Sequence, residues 1–281
     1  LIVYLRYFLG VVMLSYGISK VIPTQMPELS PIQLTQEYGN FSPMGIAWTL
    51  MSSSPAFQII TGLLEVIAAL LLFFRRSSTL GALLSVVVLS GVVAFNFCYD
   101  IPVKINSSNY LLVALLLLLF DRNKLLPLIG YYPRQMQNSE TDLFKNKKMW
   151  LASRIFKYAY LLYISYFFIS DTLQFYKKDI MDREQHPLYG VYDVTSFVKN
   201  NQDLPIIKGD KSLWNKIVVS YPNQFAIRDM NDDVQRFPLV RLDSVAHEFD
   251  IITSAKDTSR FYFDKFHKNQ LKLRGVFKGD T

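Results

Sequence analysis

The chain has 281 residues, of which 51% are hydrophobic and only 19% charged, with a formal net charge of +7. Soluble domains carry about 25% charged residues, and the shortfall is local, because long apolar runs fill the part of the chain before about residue 170. This excludes a wholly soluble enzyme and a disordered chain, and the single cysteine, Cys98, excludes an intramolecular disulfide, a CxxC zinc site and an iron–sulfur cluster. All three histidines (His186, His247, His267) follow the apolar part, so a haem held between histidines inside a membrane is excluded too.

A spanning helix needs about 20 mostly apolar residues. Five stretches are predicted to span: Leu1 to about Ile22, Pro55 to Phe74, Thr79 to about Cys98, about Ser108 to Phe120, and Trp150 to about Ser170. The first is long for a signal peptide and lacks a small-residue cleavage site before Pro23.

Short loops rich in Lys and Arg stay in the cytoplasm. Arg75 and Arg76 lie between the second and third spans. Arg122, Lys124, Arg134, Lys145, Lys147 and Lys148 lie between the fourth and fifth. The loop from Pro23 to Ser54 has no Lys or Arg, and the loop after the third span has only Lys104. The pattern predicts a multi-pass membrane protein, with the N-terminus cytoplasmic and everything after the fifth span outside. It also accounts for the net charge. Before Trp150 there are 11 basic and 7 acidic residues, and from Trp150 onward 19 and 16. The basic excess is spread out, which argues against a nucleic-acid partner and leaves the lipid bilayer as the surroundings.

Ionisable groups in spanning helices are costly and usually face the bundle interior. Glu65 lies halfway along the second span, and Gln58, Gly62, Glu65 and Ala69 recur at helical spacing on one small-and-polar face. Tyr16 and Lys20 are four residues apart on the first span, with Met13 and Gly17 beside them. Asn96 and Asp100 are four apart at the end of the third, and Lys104 follows Pro102. The predicted topology sets Lys20, Asn96, Asp100 and Lys104 near the outer ends of their helices, Tyr16 a turn deeper and Glu65 deeper still. The six form a candidate intramembrane pocket open to the outside. Two readings stand. In one, the pocket binds an amphipathic small molecule or Glu65 handles a proton. In the other, Lys20 pairs with Glu65 or Asp100 to hold helices together, or snorkels, and Tyr16 is an interfacial anchor.

Tyr16-Gly17-Ile18-Ser19-Lys20, Gly62-Leu63-Leu64-Glu65, Phe74-Arg75-Arg76 and Asn96-Phe97-Cys98-Tyr99-Asp100-Ile101-Pro102-Val103-Lys104 resemble segments of the DoxX and DoxX-like bacterial membrane proteins. The resemblance covers about residues 1–126. It implies a four-helix bundle in the inner membrane, in a family named for a subunit of a thiosulfate:quinone oxidoreductase. It supplies no catalytic residues to carry over. This chain adds a fifth helix and an outer domain to the short members.

The predicted organisation is therefore a four-helix transmembrane bundle (1–126), a cytoplasmic linker (127–149), a fifth transmembrane helix (150–170), a connector (171–186) and an extracytoplasmic β domain (187–281). A short interfacial helix is predicted around Lys124–Tyr132. In the last domain, apolar runs at Gly190–Phe197, Leu213–Ser220, Gln224–Met230, Val234–Leu242, Glu248–Thr253, Arg260–Phe263 and Leu271–Phe277 come about every ten residues, separated by turn residues such as Asn231-Asp232-Asp233. This predicts a small all-β antiparallel meander. Gly190-x-Tyr192 and Leu271-Lys272-Leu273-Arg274-Gly275 are weakly similar to lipocalin-like domains. A metal site there would need His247, His267 and a carboxylate such as Asp264 to converge.

Function stays open at this level, as does whether the chain is an enzyme. One reading is a quinone- or lipophile-binding subunit of a membrane redox system, with Tyr16, Lys20, Glu65 and Asn96 at the polar head and electrons supplied by other membrane or periplasmic redox subunits. A second is a non-enzymatic envelope protein whose outer β domain binds a small ligand or partner. A third, a permease, lacks the inverted repeats it would need.

Overall fold

The computed structural model describes residues 1–125, 146–181, 187–220, 224–254, 257–267 and 270–277. The chain forms two compact units. One comprises Leu1–Glu28 and Phe41–Tyr176, the other Leu29–Asn40 and Lys177–Thr281. The second unit thus takes a piece of the long loop after the first helix, which differs from an unbroken bundle over residues 1–126.

The described helices are α1 (Ile2–Val21), α2 (Pro31–Leu34), α3 (Pro43–Ser52), α4 (Pro55–Phe73), α5 (Ser78–Cys98), α6 (Lys104–Phe120), α7 (Arg122–Leu125) and α8 (Lys147–Phe175). Three of them, α1, α4 and α5, are long and apolar enough to cross a membrane. α6 is apolar but has 17 residues, and it begins at Lys104 rather than Ser108, which moves Lys104 out of the loop. α8 has 29 residues and none of them is buried. Of the predicted linker helix, α7 is described to Leu125. The remainder, with Arg134 and Lys145, lies outside the described residues.

In the first unit α1 packs along α4, α4 against α5, α5 against α6, and α6 back against α1. Lipid tails are as apolar as leucine, so helix association there relies on close packing of small residues rather than on the hydrophobic effect. The α1–α4 crossing follows that rule: a Cβ on Gly17 would lie 2.8 Å from the Gly62 carbonyl oxygen, and one on Gly62 would lie 2.8 Å from that of Gly17. The core continues through Leu9, Met13, Leu14 and Ile18 of α1, Ala68, Ala69, Leu72 and Phe73 of α4, Ala82 and Leu89 of α5, and Ala114 and Leu117 of α6. At the far end, Thr79 donates to Asp121 Oδ2 at 2.7 Å and ties the start of α5 to the end of α6.

In the second unit the strands are β1 (Gly190–Asp193), β2 (Phe197–Lys199), β3 (Gln202–Leu204), β4 (Trp214–Ser220), β5 (Gln224–Asp229), β6 (Val234–Asp243), β7 (Glu248–Ile252), β8 (Thr258–His267) and β9 (Gln270–Gly275). Seven of them form a barrel-like antiparallel sheet in the order β1-β4-β5-β6-β7-β8-β9, the meander that the spacing predicts. The run Gly190–Phe197 is not one strand. It breaks after Asp193, and β2 pairs instead with β3. Asn200 and Asn201 both take positive φ (53° and 64°) in the two-residue turn between them, as a primed hairpin turn requires. β6 changes partner midway: Val234–Pro238 pair with β5, and Leu239–Asp243 pair with β7 across a bulge. Proline removes a ladder donor and is tolerated where pairing is interrupted.

One face of this sheet is filled by side chains. Phe249 sits between Phe225 and Phe261, with centroids 5.4 Å from each. Trp214 and Phe237 each meet Phe277 edge-on. On the other face, β4 and β5 are buried as well. Ile32 of α2 packs with Val218 and Ala226, and Arg228 donates from Nη2 to the Thr35 carbonyl. α2 is set by a capping box, in which Ser30 accepts from the Gln33 backbone N–H while the Gln33 side chain reaches back.

Candidate intramembrane site

α4 carries the face that the sequence predicts. Gln58, Gly62, Glu65 and Ala69 are all buried. Their spacing of about four residues returns to the same side of the helix each turn. On α1, the buried residues Met13, Gly17 and Lys20 share the stripe that meets this face. The glycine crossing brings the two backbones together, and Lys20 and Glu65 follow it, three residues beyond Gly17 and Gly62 respectively.

Lys20 Nζ donates to Glu65 Oε1. The side chains are 8% and 3% exposed, so the pair is buried. Helical side chains lean toward their own N-terminus. In an antiparallel pair, lysine on α1 and glutamate on α4 therefore lean toward each other. Lys20 turns into the bundle rather than snorkelling.

The pair does not satisfy itself. Glu65 Oε2 and Gln58 Nε2 are buried with no hydrogen-bond partner among the described residues. A buried carboxylate oxygen without a donor is costly, and an ammonium has three donors to place. Gln58 stands seven residues from Glu65 on the same face, about 10 Å along the axis at 1.5 Å per residue. The site thus offers an orphan acceptor, an orphan amide donor and spare ammonium N–H groups inside an apolar bundle.

The other predicted site residues do not join this pair by any described hydrogen bond. Asn96 is buried and donates to Ser107 Oγ at 2.9 Å, while Ser107 donates to the Lys104 carbonyl at 3.0 Å. That set links α5 to α6. Asp100 and Lys104 pair with each other at the surface. Asp100 also ends α5. It takes φ 52°, and the Ile101 N–H donates to the Asn96 carbonyl at 2.9 Å, with Ile101 buried. This is a Schellman closure with Asp100 in its left-handed position. The Lys104 ammonium beside it holds the Asp100 carboxyl below its ordinary value. Tyr16 is 38% exposed and its ring meets Tyr110, at 6.4 Å between centroids. So the six candidates separate into a buried ion pair, a buried amide, a surface turn and a half-exposed ring. Gln58, seven residues before Glu65 on the same face of α4, is buried with its own amide nitrogen unpartnered.

In the β unit, the His247 ring meets Phe263 edge-on at 5.3 Å, and Asp264 is 3.7 Å from Arg274. His186 and the His267 side chain lie outside the described residues. Among the described residues no three His, Cys, Asp or Glu side chains gather as a metal site.

No family model matches the chain, and no solved structure matches it. The chain is 31% identical over 128 residues to the uncharacterized protein YwoB of Bacillus subtilis (strain 168), an alignment that covers 46% of this chain and 81% of that protein.

Proposed function

The chain belongs to the family of the uncharacterized Bacillus protein YwoB, and from that premise we propose that its helical bundle is a DoxX-like membrane unit that holds a lipophile with a polar head, a quinone by class. The observation that carries this is the incomplete pairing at Glu65. A quinone oxygen accepts hydrogen bonds, which suits the orphan Gln58 Nε2 and the spare N–H groups of Lys20. The hydroxyl of the reduced form donates, which suits Glu65 Oε2. The chain supplies binding and orientation in this reading. Electrons come from another subunit of a membrane redox system.

The proposed setting is the bacterial inner membrane, crossed by α1, α4, α5, α6 and α8. The Lys and Arg distribution supports a cytoplasmic N-terminus and a periplasmic β unit. We read that unit as a lipocalin-like meander whose interior is occupied by its own phenylalanines.

The test is to purify the full chain in mild detergent, extract it with solvent, and search for a stoichiometric lipophile by mass spectrometry, beside Glu65→Gln. A quinone present in wild type and lost in the variant is the expected result. An equal amount in both would overturn the site, and none in either, even from lipid nanodiscs, would overturn the reading.

A further inference from the structure

The covered face of the β unit ends in a cleft of about 190 Å³ between Leu29–Asn40 and the sheet. It lies wholly within the second unit and is independent of the intramembrane site. Its floor is Arg228, which is 8% exposed. Nη2 of Arg228 donates to the Thr35 carbonyl and Nη1 lies 3.4 Å from Asp232. Its Nε is buried with no partner. Arg236 also lines the cleft. It is in register with Ala226, two residues before Arg228, so the two guanidinium groups are diagonal neighbours on one face. Arg236 has no ion-pair partner among the described residues.

Glu37 lines the same cleft. Its described bond is a long one, 3.3 Å from Asn40 Nδ2, and no described cation pairs with it. An unpaired cation and an unpaired anion therefore share one small cleft without bridging each other. Ile32 and Val234 give it an apolar wall.

We propose that this cleft binds a small zwitterion of the amino-acid class. The carboxylate lies against Arg236 and Arg228 Nε, the ammonium against Glu37, and an aliphatic side chain against Ile32 and Val234. A guanidinium N–H donates to carboxylate oxygen in a fixed planar geometry, and Asp232 with Glu37 disfavours a more highly charged anion.

The experiment titrates the full chain in nanodiscs with L-leucine, N-acetyl-L-leucine and L-leucinamide by calorimetry. Leucine is expected to bind, with both blocked analogues at least about tenfold weaker. Arg236→Gln and Glu37→Gln, both at exposed positions that leave the fold in place, are each expected to weaken leucine at least about tenfold, and Glu37→Gln leaves N-acetyl-L-leucine unchanged. Absence of leucine binding at millimolar concentration overturns the proposal. So does equal binding of N-acetyl-L-leucine, which marks a plain anion site, or full leucine affinity in either variant.

Discussion

Gly17 and Gly62 face each other across α1 and α4 so closely that a Cβ on either would sit 2.8 Å from the other's carbonyl oxygen. The helices meet backbone to backbone at this point, and the buried Lys20–Glu65 pair lies beside it. Packing and site are one arrangement: the same close approach that stabilises the crossing sets the reach of the two charged side chains.

Gly62→Ala should therefore destabilise the first unit by about 1–3 kcal/mol, the usual range for overpacking. Gly91→Ala, where an added Cβ meets nothing within 4 Å, should be neutral or stabilising by up to about 1 kcal/mol. Thermal unfolding in detergent compares the two. Equal melting temperatures would show that the crossing tolerates separation.

Breaking a buried ion pair from one side costs about 3–5 kcal/mol, whereas replacing both partners by apolar groups is often neutral. Lys20→Met alone should lower the melting temperature more than Lys20→Met with Glu65→Met. The double variant should fold and yet lose any bound lipophile. A double variant that keeps the lipophile separates the pair from binding.

Asp100 gives a contrasting expectation. Glycine suits its left-handed position, and the solvent-screened surface pair with Lys104 contributes little. Asp100→Gly should be close to neutral in stability and without effect on lipophile retention. A loss of lipophile in this variant would return Asp100 to the site.

Much of the first unit was legible because its signals are local. The recurrence of Gln58, Gly62, Glu65 and Ala69 named the buried face of α4. Lys20 was read as pairing with Glu65 or Asp100 or as snorkelling, and its partner in the structure is Glu65. Tyr16 shows the limit of counting by fours. The buried stripe of α1 runs through Met13, Gly17 and Lys20, at steps of four and three, and Tyr16 falls one residue outside it. In the loop after α1, the short helices α2 and α3, capped by Ser30 and Ser42, were not predicted. The packing of Ile32 on Val218 and Ala226 had no local signal, because its partners lie far along the chain. Arg228, Arg236 and Glu37 escaped for the same reason.

That long-range contact is testable by charge. Ile32→Asp buries a carboxylate among Val218 and Ala226 and should destabilise the second unit by at least about 2 kcal/mol. Leu34→Asp, at a position 66% exposed, should have little effect. Limited proteolysis of the full chain at graded temperature reads both.

The seating of Leu29–Asn40 on the sheet also constrains how the chain threads a bilayer. A segment that follows α1 and a domain that follows α8 share one packed unit, so the number of crossings between them is even. α4 and α5 are long and apolar enough to supply two of them. α6 and α8 would then cross together or not at all. If four helices form the crossing bundle, its chain would finish on the side opposite the loop after α1's exit, and a domain appended there would never meet Ile32. On that parity, a crossing α6 requires a crossing α8 to bring a C-terminal domain back to a loop made near the N-terminus.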